Sequence, residues 1–195
     1  MRHIVLASGN PGKIREIRAI LAPLRIEVIP QSHYGVPEAA EPHATFIENA
    51  LAKARSACVH AGLPALADDS GICVEALHGA PGVQSARFAG EPRSDERNNR
   101  RLLELLAHAD DRRAHYYCAI VLVRHADDPQ PVLAEGEWHG EILRAPRGGG
   151  GFGYDPLFLD PQLGQTGAEL PMEHKNRISH RGKALAVLAE RLAGA

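Results

Sequence analysis

The opening of the chain limits the folds open to it. Residues 3–7 read HIVLA, an apolar run without polar alternation, the pattern of a strand covered on both faces. Residues 8–12 are a turn cluster, Ser-Gly-Asn-Pro-Gly. From residue 13 to 21 the period changes, and Ile14, Ile17, Ile20 and Leu21 fall on one helical face. Residues 25–29 return to strand composition. Strand, loop, helix and strand in that order predict an α/β fold.

The rest of the chain continues the alternation. Residues 31–44 read as a loop. Residues 45–61 are the clearest helix: Thr45 and Glu48 form a capping box, Ile47, Ala50, Leu51, Ala54, Ala57 and Cys58 make an apolar stripe, and Gly62 and Pro64 end it. Short apolar segments at 63–67 and 72–77 flank Asp68-Asp69-Ser70-Gly71, predicting a hairpin or strand–turn–strand. Residues 78–93 read as a Gly/Pro-punctuated loop. A helix is expected over 94–107, with Leu102, Leu103, Leu105 and Leu106 inward. Strands are expected at 116–123, 132–138, 141–144 and 157–159, around a glycine run at 148–151. A last helix spans 179–192, with Ser179 as its N-cap. No internal repeat and no long linker interrupts the 195 residues, so one domain of mixed α/β class, 1–195, is expected.

Charge and composition remove several function classes. With 22 basic and 24 acidic residues the net charge is −2, a poor basis for binding duplex nucleic acid or anionic membrane. Any phosphate site must be local. Cys58, Cys73 and Cys118 are widely spaced and form no CxxC, which excludes a Cys-rich zinc site and predicts buried free thiols in a reducing compartment. No run of ~18 apolar residues could span a membrane. The N-terminal apolar run is shorter than a signal peptide requires, and a cytoplasmic protein is expected.

Five segments combine residue types that carry chemistry. Ser8, Gly9, Asn10, Pro11, Gly12 and Lys13 join a strand end to a helix start, where outward N–H groups and the helix dipole favour an anion and Lys13 adds charge. This is not a Walker A loop, since only two residues separate the glycines and Ile14 follows the lysine. An ordinary strand–helix turn is the alternative. Asp68 and Asp69 would suit Mg²⁺, which prefers oxygen ligands, or an acidic turn. On an extended strand their side chains point opposite ways, so their roles should differ. Asn49 and Lys53 lie four apart beside an apolar stripe, facing either a cleft or solvent. Glu41, just ahead of that helix, could be a metal ligand, with Glu38 and Glu48 as rivals. The run GGGGFGYDP at 148–156 holds Phe152 and Tyr154, aromatics that could stack on a base or fill a core. Lys175 precedes Ser179-His180-Arg181, where basic groups oppose the dipole of the last helix.

Taken together, SGNPGK at 8–13, TFIENALAKA at 45–54, ADDSG at 67–71, GAPGVQSARFAG at 79–90, GGFGYDP at 150–156 and SHRGKAL at 179–185 resemble the inosine triphosphate pyrophosphatase family, in the family's order and over nearly the whole chain. Pro171 interrupts a stretch that is more charged in that family. The resemblance implies an elongated α/β fold of two lobes with the active cleft between them. It also implies a homodimer that hydrolyses ITP, dITP or XTP to the monophosphate and pyrophosphate with Mg²⁺. Ser8 to Lys13, with Lys53, would hold the phosphates, and Ser70 would donate to a phosphate oxygen. Asp69 would bind Mg²⁺, activate water, or both, with Glu41 completing the metal site. Phe152 would stack on the base, with Gly153 and Tyr154 beside it. Asp155 and Lys175 would fix base or sugar.

A physical account of base choice follows. Inosine and xanthine carry a 6-keto acceptor, and Arg181 and His180 offer donors. Adenine would leave those donors unpaired, at ~1–3 kcal/mol each. Two other readings remain: a non-catalytic nucleotide sensor, and a phosphohydrolase that releases orthophosphate.

Overall fold

The computed structural model describes residues 3–193. Strands β1 (His3–Leu6), β2 (Glu27–Pro30), β3 (Ala65–Val74), β4 (Arg113–Val123), β5 (Val132–Ile142), β6 (Phe158–Asp160) and β7 (Gln165–Thr166) form one sheet in the order β2-β1-β3-β4-β5-β6-β7. β1 runs parallel to both β2 and β3, whereas β6 is antiparallel to β5 and β7. The helices are α1 (Pro11–Leu21), α2 (Phe46–Ala61), α3 (Asp95–Leu105), α4 (Met172–Ile178) and α5 (His180–Ala193). The fold is mixed α/β, as the alternation predicts.

The chain divides into two compact units. The first comprises Met1–Asp69, Cys118–Gly136 and Arg181–Ala195, and the second Ser70–Tyr117 and Glu137–His180. In the first unit, period-2 alternation sorts the strands onto two faces. Ile4, Leu6, Leu66, Ile120 and Leu122 pack with Ile17 and Leu21 of α1 and with Ala184, Leu185 and Leu188 of α5. Val5, Ala65, Ala67, Val121 and Val123 pack with the small stripe Ala50, Ala54, Ala57 and Cys58 of α2. Each fully buried Leu or Ile contributes roughly 1.5–3 kcal/mol. The second unit has its own core, around Ile72, Leu102, Tyr116, Trp138, Leu157 and Phe158.

Local signals explain the helix ends. The Thr45 hydroxyl accepts from Glu48 N–H and donates to the Glu48 carboxylate at 2.6 Å, and Gly62 closes α2 in the left-handed region at φ +63°. Several boundaries differ from expectation. Asp68-Asp69-Ser70-Gly71 is not a turn: β3 runs unbroken through it. Likewise the strands expected at 132–138 and 141–144 merge into β5, which ends at Ile142. Arg25 sits in the left-handed region (φ +54°), so β2 starts at Glu27. Short 3₁₀ helices occur at Gln31–Tyr34 and Gly82–Arg87 inside the expected loops. Leu105 is exposed, on the outer face of α3. Ser179 caps the C-terminus of α4, its N–H donating to Lys175 O at 2.9 Å, and α5 begins at His180. Cys58 and Cys118 are buried and Cys73 is half-buried. All three are free thiols.

Candidate active site

β3 carries two consecutive carboxylates into the interior. Asp68 is 1% exposed and Asp69 5%. A buried carboxylate costs several kcal/mol unless it is compensated, and each has its own cations. Asp68 Oδ2 lies 2.9 Å from Lys13 Nζ and accepts from Arg181 Nε at 3.3 Å and Nη2 at 3.2 Å. Arg181, also buried, turns Nη1 to Glu16 Oε2. Lys13 and Glu16 share one side of α1 at i, i+3. Asp69, facing the other way, accepts from Lys53 Nζ at 2.8 Å and Asn49 Nδ2 at 3.4 Å.

Lys53 also donates to Glu41 Oε1 at 3.0 Å. The i, i+4 spacing on α2 therefore brings Asn49 and Lys53 to one carboxylate. Asn49 exchanges hydrogen bonds with the backbone of His43 (3.0 and 3.2 Å), which ties the segment bearing Glu41 to α2. Of the rivals, Glu38 is exposed and Glu48 serves the helix cap.

The environments drive the two carboxyls apart. Burial pushes Asp68 up, but Lys13, Arg181 and Lys53 outweigh it and hold the group well below the usual carboxylate range. For Asp69, burial outweighs the opposing pull of Lys53 and Lys13, Glu41 adds repulsion, and its pKa is raised. Burial would lower Lys53, yet Asp69, Asp68 and Glu41 together raise it. Adjacent titratable groups tuned in opposite directions separate an acid–base role from a fixed anion.

The turn at 8–13 is arranged differently from expectation. Asn10 caps α1, its Oδ1 accepting from Gly12 N at 2.8 Å and Lys13 N at 3.3 Å. Asn10 N in turn donates to Ser8 Oγ at 3.2 Å. The first amides of α1 are thus bonded within the turn. Gly9 and Pro11 are exposed, Ser8 half-exposed and Gly12 buried. Ser70 follows Asp69 on β3 and is half-buried.

The second unit assembles another set. Asp155, 2% exposed, accepts from Lys175 Nζ at 2.6 Å and Phe152 N at 2.8 Å, with Tyr116 Oη at 3.4 Å. Lys175 Nζ stands 4.8 Å from the Phe152 ring centroid, a cation–π distance. Gly151 turns at φ +72°, and a Cβ there would overlap the Asp155 carboxylate. The ring of buried His180 stacks on Tyr116, centroids 4.7 Å apart and planes at 9°. Tyr154 is a core residue rather than a stacking platform: it is 3% exposed and its hydroxyl donates to Ser85 O at 2.8 Å. Phe152 is the half-buried aromatic of this loop.

Glu16 and Tyr116 belong to these sets but were not read from the sequence. Glu16 carries a signal, an acid one turn from Lys13 next to Ile17 on the apolar side of α1. Tyr116 carries none, since a core aromatic at the head of a strand reads identically.

Among the described residues no three His, Cys, Asp or Glu side chains group into a ready ligand cage. Mg²⁺ does not require one: it keeps waters and commonly takes one or two carboxylates plus substrate phosphates. Asp69 and Glu41, both drawn to Lys53, form an all-oxygen pair that fits this requirement.

The model of the Ham1 family matches residues 4–191. A dITP/XTP pyrophosphatase of Nitrosomonas europaea is 67% identical over 98% of this chain and 95% of its own. One from Ralstonia nicotianae is 65% identical over 98% and 97%. A HAM1 protein from Coxiella burnetii superposes with a TM-score of 0.93 at 48% identity, covering 100% of both chains. The Ham1 protein of Staphylococcus aureus gives 0.88 at 40% identity over 98% of each.

Proposed function

The chain belongs to the Ham1 family, and from that premise we propose that it is a pyrophosphatase of non-canonical purine nucleoside triphosphates, releasing pyrophosphate from dITP, ITP and XTP. The observation that carries this reading is the opposed tuning of Asp68 and Asp69 between Lys13, Lys53 and Arg181.

Lys13, Lys53 and the turn at Ser8 to Gly12 bind the polyphosphate, and Ser70 donates to it. Asp69 and Glu41 would hold Mg²⁺, which would polarise the phosphoryl group. Asp69 takes the proton of the water that attacks the α-phosphorus. Asp68 remains an anion that keeps Lys13 and Arg181 in place. Phe152 stacks on the base, with Gly153 and Tyr154 shaping the loop. Asp155 orients Lys175 towards base or sugar. Arg181 and His180 offer N–H donors to the 6-keto oxygen, which adenine lacks. We assign the enzyme to the cytoplasm, with 1–195 acting as one functional domain and two copies pairing as a homodimer.

The test is a product assay with Mg²⁺ and, separately, ITP, XTP, dGTP and ATP. Pyrophosphate from ITP and XTP, with little from ATP or dGTP, supports reaction and selectivity together. Orthophosphate alone would move the reading to another phosphohydrolase, and binding without turnover would make the protein a sensor.

A further inference from the structure

Gly153, in the loop that carries Phe152, is gripped from a single helix. Its N–H donates to Asp95 Oδ2 at 2.7 Å, and its carbonyl accepts from Asn99 Nδ2 at 2.8 Å. Asp95 and Asn99 are four residues apart on α3, so their side chains stand one above the other. Both backbone polar groups of one glycine are thus held by side chains more than fifty residues away in sequence. On its other side, Asp155 takes the Phe152 N–H at 2.8 Å. Three backbone groups of residues 152 and 153 are fixed by side chains, where an exposed glycine loop would ordinarily bond to water.

The Asn99 amide has one orientation. Its Nδ2 also donates to Asp95 O at 2.9 Å, and two carbonyl partners on one nitrogen settle which end faces them. The consequence is that Asn99 Oδ1 is buried with no hydrogen-bond partner. An acceptor left in that state is unfavourable and calls for a reason. The reason here is the hold on Gly153. Neighbouring Asn98 is fully satisfied, taking Ala89 N–H at 2.8 Å and donating to Ala86 O at 3.0 Å.

We propose that Asp95 and Asn99 are positioning residues for nucleobase selection. They touch no substrate atom. They lock the backbone at 152–153 so that the Phe152 ring, with Lys175 Nζ over it, offers one preformed face to the base. The inference rests on the pyrophosphatase reading and adds to it which side chains set base discrimination from outside the contact shell.

The test compares the holoenzyme with Asp95→Ala, Asp95→Asn, Asn99→Asp and Asn99→Ala. Asp95→Asn keeps an acceptor for Gly153 N–H, and Asn99→Asp replaces the donor to Gly153 O by an anion. Steady-state constants are measured for ITP and ATP with Mg²⁺. Inhibition by inorganic tripolyphosphate, which has no base, is measured alongside. Asp95→Ala and both Asn99 variants should raise KM for ITP about tenfold with kcat within about twofold, the scale of one hydrogen bond. The ITP/ATP ratio of kcat/KM should shrink similarly, tripolyphosphate inhibition should hold within about twofold, and Asp95→Asn should restore most of the loss.

Equal weakening of ITP and tripolyphosphate, or unchanged selectivity, would overturn the proposal. If the Asn99 variants fold poorly, the Asp95→Ala and Asp95→Asn pair decides. A wild type that releases no pyrophosphate from any purine triphosphate removes the underlying reading. A competent wild type with indifferent variants removes only this inference.

Discussion

Lys53 Nζ stands 2.8 Å from Asp69 Oδ1, yet the Asp69 carboxyl is raised rather than lowered. Ordinarily an ammonium at that distance depresses a carboxyl. Here burial outweighs it, and Glu41 competes for the same ammonium. Burial, rather than the neighbouring ammonium, sets the direction of the shift at Asp69.

Asp69→Asn tests the proton acceptor. The amide keeps the size of the side chain and an oxygen for Lys53, so the fold should survive, with Tm shifted by no more than about 3 °C. The rate should fall about a thousandfold, the usual scale for a lost general base. Pyrophosphate release from ITP measures the first quantity and circular dichroism melting the second. Near-wild-type turnover would remove Asp69 from the chemistry.

Lys53→Met tests the tuning. Lys53 lowers the Asp69 pKa against the pull of burial, so removing it should raise that pKa further. The acid limb of the pH–kcat profile should then move to higher pH, because more of the base is protonated at a given pH. A profile displaced downward in rate but unmoved along the pH axis would show that Lys53 acts on phosphate alone.

Metal removal separates catalysis from folding. In the metal-free protein Lys53 already bridges Asp69 and Glu41, so these carboxylates are not left as unpaired charges. EDTA should abolish turnover while shifting Tm by less than about 2 °C, since there is little binding to native protein alone to lose. A large fall in Tm would indicate a structural ion instead.

Asp68 should appear in the acid stability of the protein. Burial raises this carboxyl, but Lys13, Arg181 and Lys53 depress it below its ordinary value. A carboxyl depressed in the folded state stabilises above its unfolded pKa of about 3.9 and loses that contribution as pH falls towards the folded value. Asp68→Asn takes the ion-pair partner from Lys13 and leaves buried Arg181 with Glu16 alone, and should cost about 3–5 kcal/mol at pH 7. The difference from wild type should narrow below about pH 4, which paired urea titrations at several pH values would reveal. A gap independent of pH would mean packing, not charge, fixes Asp68.

Much of this architecture could be read from local pattern. The capping box at Thr45 and Glu48, the stop at Gly62 and the two-faced strand at 3–6 follow from residues a few positions apart. What was misread depends on distant partners. Asp68 and Asp69 look like a turn until Lys13, Lys53 and Arg181, up to 113 residues away, neutralise them inside a strand. Tyr154 looks available for stacking until its hydroxyl finds Ser85 O, 69 residues off. Of the candidate site, the charged residues announced themselves through chemistry out of place, whereas Tyr116 and Asn99 look like any strand aromatic or helix amide.

The cap that Asn10 places on α1 changes how an anion would be received there. Its Oδ1 already stands in the cradle formed by the Gly12 and Lys13 amides, acting as an internal understudy for a phosphate oxygen. A ligand oxygen enters that position by substitution, and the number of hydrogen bonds at the helix start hardly changes. What changes is charge: a neutral amide oxygen gives way to an anion facing the positive end of the helix dipole and Lys13. Affinity at this corner should therefore follow the ionisation of the phosphate and weaken with salt, and hydrogen-bond count should say little about it.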